Sequence, residues 1–335
     1  MSLFLKTLKK ILIIQTAFIG DVILATAVVE KLHTFFPAAK IHVLVRRGNE
    51  SLLANHPFIV SCLVWDKRKN KIQELFRLLK IIRNARFDLV VNLQRFASSG
   101  FLTAFSRAKE RVGFNKNPFS FLFDRAVPHV IGSKNEKGLH EVERCLQTVQ
   151  HLTNNLVQMP KLYPSSNDEQ FISGYASKLF ITISPASIWF TKQTPEHVWI
   201  DFIGRINHHT IYLLGAPGDR QLCERIAAKK ENVVILAGKL SLLQSAALMK
   251  HAQMNYTNDS APMHLCSAVN APVTAVYCST IPEFGFGPLS DKSFLAQSQE
   301  VLPCKPCGLH GHKKCPLDHF KCGNISSSVL LKSLD

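Results

Sequence analysis

Short unbroken apolar runs alternate along the chain with stretches of helical period, and the first such pair sets the pattern. Lys10-Ile11-Leu12-Ile13-Ile14-Gln15 is a β-branched run of the kind buried on both faces of a parallel sheet. Gly20-Asp21 then leads into Val22, Leu24, Ala25, Val28, Val29 and Leu32, which recur at helical spacing without an interior proline. Strand, glycine turn and helix are therefore predicted here. Further strands are expected at 40–45 and 87–93. Between them, residues 71–85 place Leu75, Leu78, Leu79 and Ile82 on one helical face and basic residues on the other. From Ser99 to Pro128 the pattern loosens into an aromatic, basic stretch, which suits either a substrate-facing loop or a cover for the sheet edge. A helix opens at Leu139 and runs towards Leu152. Asn155 to Asp168, with two prolines and the run Ser165-Ser166-Asn167-Asp168, reads as a linker.

The second half repeats the alternation. Strands are predicted at 180–184, 210–215, 232–236 and 273–277, and helices at 195–206, 219–229, 240–252 and 261–269. The expected fold class is α/β, with two doubly wound Rossmann-like domains over 1–160 and 161–322 facing a central cleft at their strand ends. At 335 residues the chain can give each domain a full core.

Charge changes this picture more than composition does. Residues 1–150 hold 24 Lys and Arg against 11 Asp and Glu, whereas residues 151–335 hold 16 against 13. The first half thus carries most of the net +16. Such a field suits an anionic partner: nucleic acid, a membrane surface or a phosphorylated glycolipid. Arg46-Arg47 and Lys67-Arg68-Lys69 with Lys71 are its clusters; a solvated face without a partner is the plain alternative. No run approaches the roughly eighteen apolar residues of a membrane span, and MSLFLKTLKKILIIQ lacks the order of a signal peptide. A soluble, cytoplasmic chain with mostly reduced thiols is expected.

Three stretches carry candidate chemistry. Asp21 lies at a strand-to-helix turn, where it can act as a proton acceptor or merely cap the helix. The single Gly20 excludes both the dinucleotide fingerprint and a Walker loop. Ser184-Pro185-Ala186-Ser187-Ile188-Trp189-Phe190-Thr191-Lys192 leaves a strand with hydroxyls and one lysine, donors suited to a phosphate. Asn258-Asp259-Ser260-Ala261-Pro262-Met263-His264 precedes and opens a helix, with Asp259 or Ser260 expected to cap it and the first-turn amides available to a diphosphate.

Together, the first-loop GD, the S-P-A-S-x-W-x-x-K-x-x-P loop and N-D-S-x-x-M-H-x-x-x-A resemble the lipopolysaccharide heptosyltransferases, glycosyltransferase family 9, over nearly the whole chain. The resemblance implies a GT-B fold, with the acceptor held by the first domain, the nucleotide sugar by the second, and a final helix over 323–335 returning towards the first. It implies inverting, metal-independent transfer of a heptose from ADP-heptose to the lipid A–Kdo core, peripherally at the inner membrane, with no nucleic acid and no catalytic cofactor. Asp21 then matches the catalytic base. Ser187, Lys192, Asp259, Ser260, Ala261 and His264 match the donor site, and Arg46, Arg47 and Arg95 are assigned to the acceptor. Ser187 stands where relatives often have Thr, and Ala261-Pro262 where they often have a glycine. Two alternatives stay open: a family 9 enzyme using another nucleotide sugar, and a basic nucleic-acid-binding module, although no reading element of the latter is found.

Cys304, Cys307, Cys315 and Cys322 follow a CxxC-x7-C-x6-C spacing with His310, His312 and His319 interleaved. Four thiols so placed suit a structural zinc, or stand free in an exposed loop.

Overall fold

The computed structural model describes residues 8–68, 70–176 and 178–334. The segment MSLFLKT, Lys69 of the basic cluster and the final Asp335 lie outside them.

The chain divides into two compact units, residues 1–131 with 139–163, and residues 132–138 with 164–335. In the first, β1 (Lys10–Ile14), α1 (Ile19–Phe35), β2 (Lys40–Arg46), β3 (Ile59–Trp65), α2 (Lys71–Ala85), β4 (Leu89–Asn92), α3 (Ala97–Ala104), β5 (Glu110–Phe114), β6 (Arg125–Val127) and α4 (Glu141–Gln147) follow in order. Its six described strands form one parallel sheet in the order β3-β2-β1-β4-β5-β6. Ile11 to Ile14 are wholly buried because helices cover both sheet faces. On one face, α2 and α3 bring Leu78, Leu79, Ile82 and Leu102 onto Leu12, Ile14 and Val90. Elsewhere α1, buried from Val22 to Leu32, packs against α4.

The aromatic stretch from Ser99 to Pro128, expected as either a substrate-facing loop or an irregular cover for the sheet edge, is more regular than that: it holds most of α3 and both β5 and β6. Its apolar period is hidden for a packing reason. Gly100 in α3 faces Asn117 so closely that a Cβ would meet the Asn117 Oδ1 at 1.9 Å. Small residues here serve close approach rather than a greasy stripe. β6 is an edge strand of three residues, too short to show alternation.

The second unit continues with α5 (Ser166–Ile172), β7 (Phe180–Ser184), α6 (Glu196–Gly204), β8 (Thr210–Leu213), α7 (Arg220–Ala227), β9 (Val233–Ile235), α8 (Leu242–His251), β10 (Met254–Asn258), α9 (Ala261–Ala268), β11 (Val273–Tyr277), β12 (Ser293–Gln297) and α10 (Ser327–Leu331). The sheet order, β12-β11-β10-β7-β8-β9, mirrors the first. The run Ser165 to Asp168, expected within the linker, begins α5: the Ser165 Oγ accepts the Asp168 N–H at 3.2 Å, and Asp168 accepts the Ser165 N–H at 2.8 Å. The final helix, α10, is anchored by its buried side. It belongs to the second unit, where Leu330 is fully buried in the core and its carbonyl accepts the Tyr256 hydroxyl at 3.2 Å.

Candidate active site

In a doubly wound sheet the order reverses at one point, where the loops leaving two neighbouring strands diverge and open a crevice. In the first unit that point lies between β1 and β4. The two loops are cross-linked: the Thr16 hydroxyl donates to the Gln94 Oε1 at 2.7 Å, the Gln94 Nε2 to the Gln15 Oε1 at 2.8 Å, and the Gln15 Nε2 to the Leu93 carbonyl at 3.3 Å.

Asp21 stands beside this lattice in the first turn of α1. Its Oδ2 accepts the Phe18 N–H at 3.2 Å, so it does cap the helix. Capping is not the whole of its chemistry. The side chain stays partly open, yet burial and then the Glu141 carboxylate push its pKa up to about 6, against the opposing pull of the Phe18 N–H and Arg95. Glu141, at the start of α4, is buried and held by the His129 Nε2 at 3.1 Å and the Arg144 Nε at 2.7 Å. Burial raises the Glu141 carboxyl, but these two partners leave it below the usual range, so it persists as an anion. Asp21 is consequently ionised at neutral pH and more basic than an ordinary aspartate.

Of the three arginines assigned to the acceptor, Arg95 acts electrostatically on Asp21. Arg46 lies over the Phe18 ring at 5.0 Å. Arg47 is instead ion-paired with Asp66 at 2.8 Å. These two, with Gly48, Trp65, Lys67 and Arg68, line an open cavity of about 380 Å³. Lys67 was not singled out from the sequence, where it is one lysine of a cluster. It reaches back to β1's loop, donating to the Thr16 carbonyl at 2.8 Å.

The second sheet reverses between β10 and β7. Asn258, at the end of β10, ties the two loops: its Oδ1 accepts the Thr194 N–H at 3.0 Å and hydroxyl at 2.7 Å, and its Nδ2 donates to the Pro185 carbonyl at 2.8 Å. This brings Lys192 and Asp259, 67 positions apart in the sequence, together: the Lys192 Nζ lies 2.7 Å from the Asp259 Oδ2, which also accepts the Thr280 hydroxyl at 2.6 Å. Ser187 turns inward on its own loop, its Oγ accepting the Trp189 N–H at 3.3 Å. Ser260 occupies the N-cap of α9 in extended conformation, but neither it nor Asp259 caps with its side chain. Asp259 is committed to Lys192 and Thr280, and the Ser260 Oγ points back to the Asn258 carbonyl at 3.4 Å. Ala261 and Pro262 open the helix, and His264 is buried within it.

Ser279 and Thr280, which no sequence pattern marked, stand beside the Lys192–Asp259 pair, and Thr191 of the hydroxyl-bearing loop faces them. Thr191 docks the cysteine-rich tail: its hydroxyl accepts the His312 N–H at 2.7 Å and the Ser279 hydroxyl at 3.0 Å. Cys304, Cys307, Cys315 and Cys322 are free thiols. Among the described residues, no three His, Cys, Asp or Glu side chains are arranged to hold a metal ion.

A family model described as glycosyltransferase family 9 (heptosyltransferase) matches residues 75–318. Lipopolysaccharide heptosyltransferase 3 of Escherichia coli is 26% identical over 281 residues, 78% of this chain and 82% of that protein. Lipopolysaccharide heptosyltransferase 1 of Pseudomonas aeruginosa is 25% identical over 317 residues, 89% of this chain and 86% of its own. The solved structure of E. coli ADP-heptose lps heptosyltransferase II superimposes with a TM-score of 0.78 over 97% of each chain, at 22% identity. That likeness assigns the two Rossmann-like units to the GT-B class.

Proposed function

Because the chain belongs to glycosyltransferase family 9, the heptosyltransferase family, we propose that it moves a heptose from ADP-heptose to the Kdo/heptose inner core of lipopolysaccharide, with inversion and with Asp21 as the general base. The observation that carries this reading is the pairing of chemistry with topology. One switch point holds a carboxylate of raised basicity and the other a lysine beside a helix start. In the reaction an acceptor hydroxyl oxygen forms a bond to the anomeric carbon while the bond from that carbon to the diphosphate oxygen breaks. The hydroxyl proton passes to Asp21, and ADP leaves with the bonding electrons. Lys192 and the first-turn amides of α9 meet the charge gathering on the diphosphate. Asp259 orients Lys192 through Oδ2 and offers Oδ1 to a sugar hydroxyl. Ser187, Ala261 and His264 complete the donor loop and helix.

On the acceptor side, Arg46, Lys67 and Arg95 offer positive charge to the carboxylates and phosphates of a lipid A–Kdo core. Such an acceptor places the enzyme peripherally at the inner membrane surface. The diphosphate charge is met by a side chain and by amides, so the mechanism requires no divalent cation and EDTA is expected to leave the rate unchanged. The cysteine tail, where a structural zinc is one reading, lies outside these steps. The donor claim is tested by calorimetric titration. Saturable binding of ADP-heptose and ADP that Lys192→Ala weakens supports it; tighter binding of UDP or GDP sugars overturns it.

Three further outcomes follow from the electrostatics and packing of the site. Activity requires ionised Asp21, so it should be half-maximal near pH 6, approach its full value about one unit above, and fall further as pH drops. Glu141→Gln removes the neighbouring anion that raises Asp21, and its pH–rate profile should shift its acid limb to lower pH. An unmoved limb would deny Glu141 that influence. Gly311, at φ +73, sits where a Cβ would lie 2.9 Å from the Lys192 Cγ and 3.0 Å from the Thr191 Oγ1. Gly311→Ala should therefore cost about 1–2 kcal/mol of stability and weaken ADP binding by displacing Lys192, as denaturant melts and titration will report.

A further inference from the structure

Soluble domains bury their large aromatic side chains, and a contiguous exposed set with a cationic rim marks an interaction surface. The first unit has one. On α2, Leu78, Leu79 and Ile82 face the core, yet Ile72 and Phe76 remain 67% and 57% exposed. A chain of ring contacts continues from Phe76 to Phe101 at 5.8 Å, Phe101 to Phe105 at 4.9 Å, and Phe105 to Phe119 at 6.2 Å. It ends at Phe119, which leads directly into the turn Ser120–Leu122, where Phe121 is 78% exposed. Asn117 makes the patch rigid. Its Nδ2 donates to the Phe96 carbonyl at 3.1 Å and its Oδ1 accepts the Phe119 N–H at 3.0 Å, fixing α3 against the turn.

Charge identifies the occupant. Residues 70–125 hold eleven Lys and Arg against four Asp and Glu. All four carboxylates are already ion-paired: Glu74 with Arg77, Asp88 with Lys109, Glu110 with Arg125 and Asp124 with Arg111. Lys71, Lys80, Arg107 and Lys116 stay exposed on the same segment, in none of these pairs. Rings and a branched aliphatic side chain among unspent cations suit the headgroup boundary of an anionic bilayer, where apolar groups enter and cations meet lipid phosphates.

We propose that the face formed by Ile72, Phe76, Phe105 and Phe121, rimmed by Lys71, Lys80 and Lys116, docks the enzyme on an anionic lipid bilayer. The inference rests on the reading that the acceptor is lipid-borne, but its test does not use transfer. The full chain is sedimented with phosphatidylcholine vesicles, and with vesicles in which about a third of the lipid is phosphatidylglycerol. Binding to the anionic vesicles should exceed that to the neutral ones by about tenfold or more and weaken with added salt. Phe76→Ser with Phe121→Ser should lower it about tenfold without changing the far-UV spectrum. Lys80→Glu with Lys116→Glu, at exposed positions with no core role, gives a second decrease that does not depend on the first pair folding. Equal binding by wild type and both variants, or none by wild type, overturns the proposal. So does duplex DNA that displaces the vesicles and still binds after the Phe substitutions, which would make the face a nucleic-acid surface. Wild type that transfers heptose to a lipid-free acceptor but ignores vesicles overturns the docking alone. Wild type that binds vesicles but transfers nothing overturns the transfer reading.

Discussion

Asp21→Asn is expected to lower kcat by about 10²–10⁴-fold, the usual worth of a positioned general base, while leaving the fold intact. Asparagine is chosen because its amide oxygen can still accept the Phe18 N–H, so the cap on α1 survives and only the basicity is lost. The stability of the variant separates the two roles of this residue further. A folded-state value of about 6 lies above the ordinary 3.8, so the wild-type chain loses stability as pH rises between those values and ionised Asp21 remains a cost above them. Asp21→Asn should accordingly be more stable than wild type at pH 8, by about 1–3 kcal/mol, and equally or less stable near pH 3. Denaturant melts at the two pH values check this. A variant that is less stable at pH 8 would show that the cap dominates.

Lys192→Ala carries the second large effect. Removing one charge-stabilising donor from a leaving group costs about 10²–10³-fold in kcat, and donor binding should weaken with it. The same change strips Asp259 of its cation, leaving a buried carboxylate with the Thr280 hydroxyl alone. Breaking a buried pair in this way costs about 3 kcal/mol. Adding Asp259→Asn removes the stranded charge and should restore most of that stability without restoring transfer. If the double variant regains activity along with stability, Lys192 serves the fold and not the diphosphate. Arginine is not an equivalent replacement, since it exchanges a compact point charge for a wide planar fork.

The parts legible in the sequence are those whose chemistry is local. The β1 run and the helical period after Asp21 give the first strand and helix to within a few residues, because a buried parallel strand is apolar throughout and α1 is covered along its length. The second unit's strands at Phe180–Ser184 and Val273–Tyr277 were plain for the same reason. What escaped were elements whose identity is set by partners. α3, with Ala, Ser and Gly in place of a greasy stripe, depends on Asn117 lying against Gly100. β12, with three exposed side chains in five, is an edge strand held by β11.

The site divides similarly. Lys192 and Asp259 were each visible as candidates, but not their contact, which the reversal of strand order between β7 and β10 creates. Ser260 looked like a cap because its residue type favours one; its hydroxyl turns to the Asn258 carbonyl instead. Glu141, 120 positions from Asp21, gave no signal at all. Only α4 lying on α1 brings the two carboxylates within electrostatic reach. Thr191 and Ser279 likewise gain meaning from the tail that folds onto them.

The most direct measurement is the mass of a Kdo–lipid A acceptor, and of the same acceptor already carrying heptose, after incubation with ADP-heptose and the wild-type or Asp21→Asn chain. With wild type, one acceptor should gain a single heptose as an equal amount of ADP appears, with or without EDTA, and with Asp21→Asn the gain should all but vanish. Equal transfer by the two chains, or release of a nucleotide other than ADP from a competing mixture of sugar donors, would contradict the account.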